Sequence, residues 1–245
     1  MSRNFELLQR VARDDVFRPA ERLATVPRNS PLVTPPYKAA PHAEIAKLVQ
    51  RLFSPAGSAA APRIVSFSGL SRDDRSGWIC ARVSEVLAER ADASVCVVDA
   101  NLWSPQLHIH FATANSYGLR DGLAENGPIR NFALPLRRPN HWLIPTGSIR
   151  PGAGYSLDRC RERFLELRES FDHILISAPA LSREAEATFL AQLSDGVVLI
   201  VEANQSRREA VRRVKEQFES GKVRLLGAVL DQRTFPIPEK LYRRL

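Results

Sequence analysis

From residue 63 onward, short apolar runs alternate with longer segments whose apolar residues recur at helical spacing. The runs are Ile64–Ser68, Ser94–Asp99, Trp142–Ile144, His173–Ser177, Val197–Glu202 and Leu225–Leu230. HILI (173–176) and VVLIV (197–201) are near-continuous apolar runs, as strands are when both faces of a sheet are covered. The segments Gly77–Arg90, Asp158–Ser170, Arg183–Leu193 and Arg207–Ser220 read as helices. The last opens Ser206-Arg207-Arg208-Glu209, a capping-box pattern. Strands alternating with helices predict an α/β fold, a doubly wound and mostly parallel sheet. Ligands in such sheets bind outside the carboxyl ends of the strands, so chemistry is expected on that edge.

Upstream the pattern changes twice. Phe5, Leu8, Val11 and Ala12 place an amphipathic helix over residues 1–18. Residues 19–41 hold six prolines (Pro19, Pro27, Pro31, Pro35, Pro36 and Pro41) and read as an extended linker. A further helix over His42–Phe53 carries Ile45, Leu48, Val49 and Leu52 on one side. A small-residue loop then leads into one α/β domain, giving 42–245 as its expected bounds.

Composition narrows the class. The chain has 245 residues, 44% hydrophobic and 25% charged, ordinary for a globular protein with a real core. Cys80, Cys96 and Cys160 form no C-x-x-C pair, which argues against a disulfide framework or a zinc site and fits a cytoplasmic protein. No apolar run is long enough to span a membrane, and the N-terminus lacks the apolar core of a secretory signal. Net charge is +8. Residues 205–245 carry 11 Lys/Arg against 5 Asp/Glu, so six of the eight excess charges lie there. Such a face suits an anionic membrane surface or an acidic partner.

Candidate chemistry starts at the first strand. Ile64–Leu87 reads strand, tight loop, helix, the setting of a phosphate-binding loop G-x-x-x-x-G-K-[S/T]. Its glycines let backbone N–H groups wrap the phosphates, the Lys supplies a point charge, and the hydroxyl binds Mg²⁺. Here the loop is Gly69-Leu70-Ser71-Arg72-Asp73-Asp74-Arg75-Ser76-Gly77. In one register Asp74-Arg75-Ser76 stands for G-K-S. In the other Ser76-Gly77 stands for K-[S/T], which the apolar Val83 and Leu87 of the following helix favour. Both lack Lys. A carboxylate such as Asp73 or Asp74 about 4 Å from a phosphate charge costs roughly 1 kcal/mol in water and about 4 at an effective dielectric of 20.

The second strand runs out as Asp99-Ala100-Asn101-Leu102-Trp103-Ser104-Pro105-Gln106-Leu107-His108. This resembles the D-A-D-L-R-R-P-x-L-H segment of bacterial tyrosine kinases of the CpsD/CapB type, within the MinD/ParA-like deviant P-loop ATPases. Asp99, Ala100, Leu102, Pro105, Leu107 and His108 fall in register. Ser116–Leu123 is similar to the family's G-L-x-x-x-L turn and Leu143–Gly147 to its L-P-x-G strand end. Phe171–Pro179 is similar to the Walker B segment F-D-x-[V/I]-I-I-D-[T/S]-P, with Ser177 at the Asp. Glu44, Lys47 and Gln50 stand where the family has E-x-x-R-x-x-R, used for subunit contacts.

The resemblance implies a P-loop NTPase-like fold with ATP and Mg²⁺ as cofactors. It implies Asp99 as the catalytic and metal-linked carboxylate, Gly69, Arg75, Ser76 and Gly77 around the nucleotide, and Ser76 as the metal hydroxyl. Against that pattern the Lys, the Walker B Asp, the second Asp (Asn101) and the tyrosine cluster of the tail are missing, and Tyr242 is the tail's lone tyrosine. The expected function is a degenerate, inactive or weak kinase homologue acting as a partner-binding regulator in capsule or exopolysaccharide synthesis. Its expected partner is a membrane-anchored chain-length regulator, at the cytoplasmic side of the inner membrane, with homo-oligomers also in view. The alternatives are an active tyrosine kinase or ATPase with an altered loop, and a ParA/MinD-like positioning ATPase on membrane or DNA. Nucleic acid is not the expected partner, because the Trp residues form no stacking pattern. His108 and His110, two apart, and Cys80, on the helix after the loop, read as structural.

Overall fold

The computed structural model describes residues 42–54, 60–71, 75–90, 92–148, 156–181 and 185–232. The helix expected over 1–18, the linker over 19–41 and Tyr242 lie outside the described residues, as do Arg72, Asp73 and Asp74 of the loop. The elements are α1 (His42–Phe53), β1 (Ile64–Gly69), α2 (Ser76–Arg90), β2 (Val95–Asp99), α3 (Leu107–His110) and α4 (Leu119–Ala124), then β3 (Leu134–Pro135), β4 (His141–Ile144), α5 (Leu157–Ser170), β5 (His173–Ser177), α6 (Ala185–Leu193), β6 (Gly196–Glu202), α7 (Arg208–Ser220) and β7 (Leu225–Asp231). A short 3₁₀ turn covers Ile129–Phe132.

The strands form one sheet in the order β3-β4-β2-β5-β1-β6-β7. Every pairing is parallel except β3 with β4. β1 lies between β5 and β6, so its carboxyl end opens at the centre of the edge. Alternate residues of each central strand feed opposite cores, as the two-residue period of a strand requires. Val65, Phe67, Val97, Leu175, Val198 and Ile200 pack with α1 and α2. Ile64, Cys96, Val98, Ile174 and Ile176 pack with Phe164 and Leu167 of α5. Val197 and Leu199 pack with Val214 and Phe218 of α7. The doubly wound, mostly parallel α/β fold is therefore present, with both faces covered.

The sequence pattern and the observed bounds differ in instructive places. Ser206 does not cap α7, whose N-cap is Arg207 with no side-chain bond. The Ser206 hydroxyl instead accepts the Glu202 N–H at 3.0 Å, holding the turn back against β6. The helices α3 and α4 do not stand out in the sequence because they are one or two turns long and are set by tertiary contacts. Gly118 allows one of these contacts: a Cβ there would collide with the Pro145 carbonyl. Leu119 N–H donates to Pro145 O at 2.7 Å and Arg120 N–H to Thr146 O at 3.0 Å. The G-L turn and the L-P-x-G strand end are thus one unit, built beside β2.

The basic C-terminal stretch is not a continuous positive stripe where it is described. On α7, exposed Arg208, Arg212, Arg213 and Lys215 share the surface with exposed Glu209, Glu216 and Glu219, and Lys215 lies 3.5 Å from Glu219.

Candidate functional site

Three central strands bring sequence-distant residues to one edge. Ser177, the last residue of β5, sits in register with Phe67 of β1 and Asp99 of β2. Gly69 closes β1, and α2 begins at Ser76, pointing its first turn at the same edge. A Cβ on Gly77 would lie 3.3 Å from Ser177 Oγ and 3.4 Å from Gln106 Oε1. Gly77 is therefore the helix position facing Ser177, and it carries no hydroxyl.

Asp99 is fully buried. Its Oδ2 accepts the N–H groups of Gln106 at 3.0 Å and Leu107 at 2.9 Å, and its Oδ1 accepts Asn101 N–H at 3.3 Å. The carboxylate thus closes the loop after β2 and satisfies amides that the start of α3 leaves open. Burial pushes its pKa up to about 7, against the amide bonds, which pull it down. Thr146 Oγ1 donates to the Asp99 carbonyl at 3.1 Å, fixing β2 to the neighbouring β4 exit.

Arg75 turns to the other side of the loop. Its guanidinium is 5% exposed, and Nη1 donates to Asp231 Oδ1 at 3.2 Å, with Asp231 only 9% exposed. The guanidinium carbon also stacks 4.4 Å from the ring centre of Trp78, a cation–π contact. The other end of the loop is held similarly. Ser71 Oγ donates to Glu202 Oε2 at 3.3 Å, and Gln232 Nε2 donates to Glu202 Oε1 at 3.0 Å. Glu202 ends β6 and Asp231 ends β7. The sequence reading missed both acids; the available signal is an acid terminating an apolar strand run, as in GVVLIVE and LLGAVLD.

No protein-family model matches the chain. Curated relatives do. The chain is 24% identical over 153 residues to the tyrosine-protein kinase YwqD of Bacillus subtilis, covering 62% of this chain and 64% of that protein. It is 27% identical over 123 residues to the tyrosine-protein kinase CpsD of Streptococcus agalactiae, covering 49% and 54%. The chain is a relative of the CpsD/CapB-type bacterial tyrosine kinases. It spans between about half and two thirds of the length of these kinases. Among solved structures, the chimeric protein CapA2B2 superposes with a TM-score of 0.70 at 18% identity, over 80% of this chain and 87% of that one. The cell-division ATPase MinD of Pyrococcus furiosus gives 0.62 at 21% identity, over 74% and 78%. These likenesses establish the P-loop NTPase-like fold.

The family resemblance calls for ATP and Mg²⁺, and the side chains present do not fit that pair. Of the two carboxylates a kinase of this family would turn to the metal, one is Ser177 and the other, Asp99, already accepts three amides. A serine hydroxyl brings no charge to Mg²⁺, whose usual protein ligands are one or two carboxylates. Gly77 offers no hydroxyl, and the nearest cation to the Lys position, Arg75, faces Asp231. Among the described residues no group of three or more His, Cys, Asp or Glu is arranged to hold a metal. Cys80 on α2 is fully buried, and burial raises its thiol pKa well above the usual value, so it packs as a small apolar residue. His110 pairs with Glu85 at 3.2 Å, away from the edge where Asp99 and Ser177 meet.

Proposed function

We propose that this chain is a kinase-like partner-binding regulator that does not turn over Mg·ATP. One observation carries the reading: the groups that would serve nucleotide chemistry are already engaged within the fold, Asp99 by three backbone amides and Arg75 by Asp231. The kinship with tyrosine-protein kinases of the CpsD/CapB type supports a role beside capsule or exopolysaccharide synthesis. The partner would be the cytoplasmic part of a membrane-anchored chain-length regulator. No described helix is long and apolar enough to cross a membrane. Titration calorimetry of the purified chain with Mg·ATP tests the reading, alongside a phosphate-release assay. The expected outcome is no micromolar binding and no hydrolysis. Micromolar affinity together with turnover would sink it.

A further inference from the structure

A cleft of about 310 Å³ opens between α2, the end of α3 and the turn that joins β3 to β4. Glu89 lies in the last turn of α2 and His141 is the first residue of β4. The cleft therefore lies toward the amino ends of the strands, opposite the edge where Asp99 and Ser177 meet. Phe111 and Leu136 form its apolar part. The Phe111 ring is held edge-on by His110 and His141, with ring centres 4.8 and 5.5 Å away, so this part of the wall is preformed.

Three arginines and two glutamates surround the apolar part, and the acids are already matched. Arg82 pairs with Glu85, and Arg138 Nη2 lies 3.3 Å from Glu89 Oε1. Arg137 is exposed and forms no ion pair among the described residues. His141 adds no charge. Its Nε2 donates to Ser84 Oγ at 3.0 Å, and the Ser84 hydroxyl donates in turn to Ala81 O at 2.7 Å. Burial pulls the His141 pKa down to about 4. Three arginines against two glutamates leave one positive charge, and Arg137 is the side chain that carries it unmatched. A basic ligand finds no free carboxylate here, and an acidic one finds a free guanidinium. The volume is at the low end of ligand pockets, which run from about 300 to 1,000 Å³. It suits one large side chain better than a whole cofactor. β3 is the outermost strand of the sheet, so the rim bearing Arg137 lies at the margin of the fold, where a chain segment can cross it.

We propose that this cleft is a docking site for a partner-protein segment bearing a large apolar side chain next to a carboxylate: the apolar side chain packs on Phe111 and Leu136, and Arg137 takes the carboxylate. The proposal rests on the partner-binding reading above and gives that partner a chemistry. A single anchor in a small pocket beside a charged rim is how many interfaces concentrate their affinity.

The test is a titration of the ¹⁵N-labelled full chain, followed by amide shifts, with the blocked tetrapeptide Gly-Phe-Glu-Gly. Controls carry glutamine in place of glutamate, or alanine in place of phenylalanine. The first peptide should shift the amides of Phe111, Leu136 and His141 saturably at up to about 10 mM, the range of a single anchor. Glutamine should weaken binding by about fivefold and alanine by about tenfold or more. Arg137→Gln, at an exposed position that the fold does not depend on, should lower the glutamate peptide to the affinity of the glutamine peptide and leave the latter unchanged. No saturable shift at those three amides overturns the docking site. Equal losses for both peptides in Arg137→Gln, or none, overturn the role of Arg137. 3-Phenylpropanoate, a free acid on the same ring, should bind more weakly than the peptide, whose backbone spans the rim. Equal affinity would make the cleft a small-anion site and overturn the protein partner. Turnover of Mg·ATP by the same preparation would count against the function proposed above and leave the cleft result standing.

Discussion

The two halves of the sheet's carboxyl edge hold their acids in opposite ways. On the β2 side, Asp99 accepts three backbone amides, and among the described residues no cation forms an ion pair with it. On the β6–β7 side, Asp231 faces a buried guanidinium. The first arrangement needs only an acceptor in the right place. The second needs a charge, because a buried Arg stripped of its counter-ion has lost hydration and gained nothing. A carboxylate at a strand end is thus not one kind of feature, and a neutral isostere is expected to cost more at Asp231 than at Asp99.

The largest expected effect breaks the charged side. Asp231→Ala or Arg75→Ala should lower the unfolding free energy by about 3–5 kcal/mol, as single removals from buried pairs do. Replacing both by Leu and Met should recover most of that loss. Urea unfolding of the three variants measures it; a loss under about 1 kcal/mol in the single variants would mean the pair is not buried in solution. The neutral side comes next. Asp99→Ala leaves three N–H groups without their acceptor and should cost about 2–3 kcal/mol. Asp99→Asn keeps an acceptor oxygen and should cost about 1 kcal/mol. If Asn is as damaging at 99 as at 231, the contrast between the two sides is wrong.

A pH series separates the sides further. The folded pKa of Asp99, about 7, lies above its unfolded value of about 3.9. The folded state therefore holds the proton more tightly. The Asp99 contribution is fully present below about pH 4 and is lost as pH rises through 7. Wild-type denaturation midpoints should fall between pH 5 and pH 8, and Asp99→Asn should flatten that part of the profile; parallel profiles would rule this out. The smallest effect belongs to neither side. Lys47 and Glu44 form an exposed pair at 2.8 Å on α1, and Lys47→Ala should change stability by less than about 0.5 kcal/mol.

Much of the frame was legible from the chain alone. β5 matches its expected bounds, and β1, β2, β4, β6 and β7 differ from theirs by a single residue, because strands covered on both faces are written as apolar runs. β3, of two residues, and α3, of four, carry too few positions for a period to emerge. The edge that gathers Gly69, Ser76, Gly77, Asp99 and Ser177 was also legible, since topology dictates it. What those residues touch was not. Arg75 could be read as a substitute for the missing Lys only while its partner was unknown. That partner follows another strand 156 residues later, with no local signal linking the two. In the same way, nothing in the local pattern announces that the amides of Asn101, Gln106 and Leu107 turn back onto Asp99.

The long sequence span of the Arg75–Asp231 pair also has a meaning in time. A chain made from its N-terminus sets β1, α2 and β2 long before residue 231 leaves the ribosome. Contacts of such sequence separation form late in folding. The contact of Arg75 with Asp231 must therefore wait until nearly the whole chain has been synthesised. The start of α2 is made early and joined to the end of β7 late, and a chain ending before Asp231 would lack that contact altogether.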